Sequence, residues 1–140
     1  MALQHLGRVD MDRLLREMEH WATGSPLEKR AAAAALCEPN LLSQEAQTER
    51  VLQVLDDITA SVREASDRRG SDFKALRKGL GYCWSVAVAA HPEKGRPLME
   101  KWFASPDRDV RWIMKQNLRK KRLERMDAVW VQSWQVQLAM

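Results

Sequence analysis

The chain has 140 residues, with 45% hydrophobic and 30% charged side chains and a formal net charge of +4. That length suits one domain with its own core, and that balance excludes a disordered chain. The longest apolar runs, Ala31 to Cys37 and Val86 to Ala90, fall far short of the roughly 20 residues needed to cross a bilayer. The segment Met1 to Arg8 also lacks the basic start and apolar stretch of a secretory signal. A cytoplasmic protein without membrane association is expected.

In chain order, Asp10 or Asp12 caps a first helix with Leu14, Leu15, Met18 and Trp21 on one face, and Thr23-Gly24-Ser25-Pro26 ends it. Ser25 and Pro26 suit the N-cap and first turn of a second helix, Leu27 to Cys37, closed by Glu38-Pro39-Asn40. A second hairpin begins at Ser43 with Val51, Leu55, Ile58 and Val62 at helical spacing and breaks at Ser66 to Gly70. Its partner helix runs from about Ser71 to Ala90, until His91-Pro92. The third hairpin pairs Pro97–Ala104 with Pro106 to about Arg122, and a final helix spans about 124–138. Strand alternation and hairpin turn dipeptides are missing. About seven helices joined by short turns imply an all-α fold stacked as a right-handed α-α superhelix, in hairpins of about 10–37, 43–90 and 97–122 with a C-terminal capping helix, one domain over 1–140.

Repetition supports that stack. Met18-Glu19-His20-Trp21 and Met99-Glu100-Lys101-Trp102 agree at three of four positions, each is soon followed by Ser-Pro, and each Trp precedes an Arg by nine residues, Arg30 and Arg111. Ser71 to Arg77 repeats the spacing of Ser105 to Arg111. A hairpin that cannot bury its apolar face alone hides it against the next one, which is why such units recur. With Ser105-Pro106-Asp107 and Asp109-Val110-Arg111, the pattern over roughly residues 10–122 resembles the HEAT and armadillo-like repeat family. The resemblance implies a short HEAT-like solenoid in which Arg30, Arg77 and Arg111 tie one repeat to carboxylates of another.

Charge is unevenly spread: residues 1–60 carry six basic and ten acidic side chains, residues 61–140 seventeen and nine. On a helix from 106 to 122, Arg111, Lys115, Arg119 and Arg122 fall within about 80° of one another, beside an apolar face of Val110, Ile113, Met114 and Leu118. With Arg108 and Lys120 they form a candidate site for phosphate or for a partner, set against a plain solvated face. Trp112 points away from the apolar face and is expected to meet the last helix, or else a partner. Trp21, Trp84 and Trp102 sit at core spacing.

The same features have a more distant similarity to DNA-alkylation-repeat proteins, which implies Trp102, Asp107, Asp109 and Arg111 around a lesion; the repeat motif accounts for these residues without catalysis, and glycosylase activity is not expected. His5, His20 and His91 are scattered, and Cys37 and Cys83 lack CxxC spacing, so no metal or cofactor is expected and the thiols read as reduced packing groups. Gly79 and Gly81 read as sites of close helix packing. The leading expectation is a non-catalytic scaffold that binds a protein segment. The alternative is a DNA-backbone binder using the basic stripe, favoured if that stripe and Trp112 share one concave face.

Overall fold

The computed structural model describes residues 11–39, 42 and 44–139. These form eight helices, α1 (Met11–Trp21), α2 (Pro26–Leu36), α3 (Glu45–Glu64), α4 (Ser71–Ala90), α5 (Pro92–Phe103), α6 (Arg108–Leu118), α7 (Lys121–Met126) and α8 (Ala128–Ala139), with no strand among the described residues. Asp10, Asn40 and Ser43, expected at helix ends, and His5 lie outside the described residues.

Consecutive helices pair as α1 with α2, α3 with α4 and α5 with α6, while α1, α3 and α5 touch in series, as do α2, α4, α6 and α8. The result is two rows of helices, compatible with the superhelical stack of hairpins expected from the repeats. Contacts are most extensive along α2, α4 and α6. Composition explains this. Ala32, Ala33 and Ala35 are buried on α2, and a Cβ on Gly79 of α4 would come 3.3 Å from the Cγ of Arg30, so small residues let these backbones approach. Trp84 fills the core at 0% exposure and donates its indole N–H to the buried Thr59 hydroxyl at 3.0 Å. The polar atom of the largest core side chain is thereby satisfied.

The first turn is built locally. Ser25 caps α2, its hydroxyl accepting from the Glu28 N–H while the Glu28 carboxylate accepts from the Ser25 N–H. Those two hydrogen bonds hold Glu28 below the usual carboxylate range.

Three boundaries differ from expectation. α5 begins at Pro92, not Pro97, so Pro97 lies inside a helix. The turn ahead of it holds through the Gly95 N–H donating to the His91 carbonyl at 2.9 Å and through Gly95 packing on Val88, where an added Cβ would come 2.8 Å from the Cα. α6 stops at Leu118 rather than Arg122, with Arg119 as its C-cap. The single final helix of 124–138 is two, because Asp127 leaves helical geometry to accept from the Trp130 N–H at 3.1 Å and from Arg96 at 2.7 Å. An Asp whose carboxylate satisfies a free N–H starts a new helix there.

Candidate functional site

The junction before α6 sets the site. Asp107 is the N-cap, its carboxylate accepting from the N–H groups of Asp109 and Val110 at 2.9 and 3.1 Å. Arg68, in the connection between α3 and α4, reaches the carboxylates of Asp107 and Asp109 at 2.8 and 2.9 Å and also donates to the carbonyls of Ala65 and Arg63. Asp109, 5% exposed, accepts as well from Arg77 of α4 at 2.8 Å. Burial pushes the Asp107 pKa up, but the Arg68 hydrogen bond and the backbone N–H groups outweigh it and hold the carboxyl below its usual value. The same contacts raise Arg68, Asp107 first and Asp109 second. Two arginines and two aspartates therefore fix α4 against α6.

Arg77 also lies over Trp112, its Cζ 3.8 Å from the ring centroid. The edge of that ring rests on Gly81, where a Cβ would come 3.2 Å from Trp112 Cζ3 and 3.3 Å from Gln116 Cβ. One turn on, buried Asn117 of α6 donates to the Leu80 carbonyl at 2.8 Å and accepts from the Ser85 N–H at 2.9 Å, both on α4.

Between the two helices opens a groove of about 830 Å³. Along α4, Lys74, Lys78 and Tyr82 follow one another at four-residue intervals, which places them on one face. Six of the twelve lining residues are cationic and one, Asp109, is acidic, already held by Arg68 and Arg77. The groove is thus positive. Trp112 also walls an adjoining depression of about 430 Å³ that contains Arg108, Arg111 and Lys115. Lys74, Lys78, Arg108, Lys115 and Lys120 are in no ion pair among the described residues.

The basic residues expected on one helical wheel do not share a helix. Because α6 ends at Leu118, Arg119, Lys120 and Arg122 leave the face of Arg111 and Lys115. Arg108 lines both depressions and Lys115 the smaller, whereas Arg111 turns to the carbonyl of Leu138 at 3.0 Å, at the end of α8, instead of to a carboxylate. Lys120 lines the larger groove near Tyr82, and Arg122 donates to the Tyr82 hydroxyl at 3.2 Å. Arg119 is exposed and lines neither. Trp112 packs on Arg77 and Gly81 of α4; Trp130 and Trp134 of α8 pack on Phe103, with centroids 5.7 and 4.7 Å away. A wheel gives a residue's direction about its own helix and cannot say which neighbour stands there.

Trp102, Asp107, Asp109 and Arg111 do not converge. Trp102 is 2% exposed and donates to Asp56 at 2.8 Å, the two aspartates bind Arg68, and Arg111 faces α8. Arg77 ties α4 to the Asp109 carboxylate of α6, and Arg30 lies along Gly79. Trp21, expected in the core, packs against it but is only half-buried and also lines a surface depression. Cys37 and Cys83 are buried side by side, and the Cys83 thiol together with burial pushes Cys37 well above the ordinary thiol range.

Sequence reading missed Arg68, Lys74, Lys78 and Tyr82. Arg68 lay in a segment read only as a polar break, although an Arg there with an Asp-x-Asp at the next hairpin turn was an available signal. Among the described residues, no group of three His, Cys, Asp or Glu side chains is placed to hold a metal ion, and no helix is long and apolar enough to span a membrane. No family model, curated protein or solved structure matches this chain.

Proposed function

We propose that this chain is a short HEAT-like stack that binds nucleic acid through its phosphates, in the groove between α4 and α6 and the depression beside Trp112. The observation that carries this reading is the convergence of five cations with no carboxylate partner among the described residues on two depressions that share Trp112. Cations already committed to aspartates build the wall, and uncommitted ones line it. Such a surface attracts a polyanion without reading sequence. The excess of cations over the single acidic lining residue, Asp109, itself held by Arg68 and Arg77, favours a polyanion such as nucleic acid over the protein segment expected from the repeats alone.

The test is anisotropy of a labelled oligonucleotide titrated with the protein across a salt series. If all five cations engage, log K should fall against log salt with a slope between about −3 and −5. Lys74→Glu/Lys78→Glu/Lys120→Glu should abolish binding while leaving the fold intact, since none of the three is in an ion pair among the described residues. No binding at low salt overturns the proposal. So does poly-glutamate competing as well as DNA of equal charge, which would point to an acidic protein segment instead.

A further inference from the structure

We infer that the groove prefers single-stranded over duplex nucleic acid, because Tyr82 is the one exposed aromatic side chain along the cationic track; this rests on the groove being the nucleic-acid site. Among the described residues Tyr82 is the sole aromatic in the exposed class, at 44%. Its companions in the groove are committed elsewhere. Phe73 is 6% exposed, and Trp112 carries Arg77 on one face and Gly81 against its edge. Tyr82 is placed for contact instead of packing: Lys78 is one helical turn before it on the same face of α4, and Lys120 Nζ and Arg122 Cζ each lie 5.8 Å from its ring centroid.

An exposed aromatic ring with cations close by suits a nucleotide whose base stacks on the ring while its phosphates meet the cations. In a duplex the bases already stack on one another and offer only their edges, so the ring gains nothing from it. An unpaired base presents its face. Stacking is indifferent to base identity, so little sequence preference is expected.

The experiment compares a labelled twelve-nucleotide dT strand, the matching U strand, a twelve-base-pair duplex and an abasic strand of equal length, each with the native protein, Tyr82→Phe and Tyr82→Ala. The expected result is tighter binding of either base-bearing single strand than of the duplex or the abasic strand. Tyr82→Ala should weaken single-strand binding about 5- to 100-fold, with duplex affinity and the salt slope unchanged, and Tyr82→Phe should keep the native affinity because the ring remains. Equal binding of all four ligands with no effect of Tyr82→Ala overturns the preference while leaving the phosphate groove in place. A loss in Tyr82→Ala that extends equally to the abasic strand also overturns it, since the ring would then act through groove shape. Failure of every ligand to bind removes the groove reading itself.

Discussion

The first helices of the first and third hairpins close on nearly the same four residues, Met18 to Trp21 and Met99 to Trp102, in different surroundings. Met18 and Met99 are both at 0% exposure. Trp21, however, is half-buried, whereas Trp102 is buried, donates to Asp56 of α3 and has the cations of Arg63 and Lys101 at 5.2 and 4.9 Å from its ring centroid. What differs is the neighbour. Trp102 faces Asp56 and Arg63 of α3, whereas Trp21 lines a surface depression with Arg13, Glu17 and His20 of its own helix. The turns that follow diverge likewise: Ser25 caps α2 with Glu28 three residues away, while Asp107 caps α6 and is held by Arg68, 39 residues away in sequence. A repeated motif thus specifies a helix locally, and its energetic weight comes from whatever the stack places against it.

The sharpest way to break this comparison is to truncate both tryptophans. Trp102→Ala should cost about 3–5 kcal/mol of stability by urea unfolding, and Trp21→Ala roughly 1 kcal/mol. Equal losses would mean the neighbour is irrelevant. Next, Arg68→Met leaves two aspartates facing each other and should cost about 2–4 kcal/mol. Asp107 has its folded pKa below the unfolded one, so its contribution is present above about pH 4 and is lost as pH falls through the folded value. In Arg68→Met the acid limb of the stability–pH curve should therefore flatten, and an unchanged limb would exclude the pair as its source.

Smaller effects separate tertiary from local support. Gly95→Ala drives a Cβ against the Val88 backbone at the entry to the third hairpin and should cost about 1–3 kcal/mol. Ser25→Ala removes a local cap on the first and should cost about 1 kcal/mol. If Ser25→Ala proves the costlier of the two, the third hairpin is not the one held by its surroundings.

Much of the fold was legible because its cues are local. The 3.6-residue periodicity, Ser25-Pro26 and the stop at His91-Pro92 each act within one turn of chain. The misplaced boundaries depend on packing that periodicity does not show: Pro97 sits in a helix that Gly95 locks onto Val88 of the preceding helix, and Asp127 opens a helix while paired to Arg96, 31 residues away. The candidate site was half legible for the same reason. Residues of α6 and beyond stood out as a basic run, but Lys74, Lys78 and Tyr82 join them only because α4 lies beside α6. Tyr82 in particular sits in an apolar stretch whose pattern suggests core.

Asn117 gives the groove a property that its charges do not. By gripping the Leu80 carbonyl and the Ser85 N–H, it acts as a peg that opposes sliding of α6 along α4, since a one-turn shift would break both contacts and leave the buried Asn117 Oδ1 without its partner. On the proposed function, the entropic cost of ordering on binding would then fall on the flexible strand rather than on a groove whose two walls Asn117 holds in register.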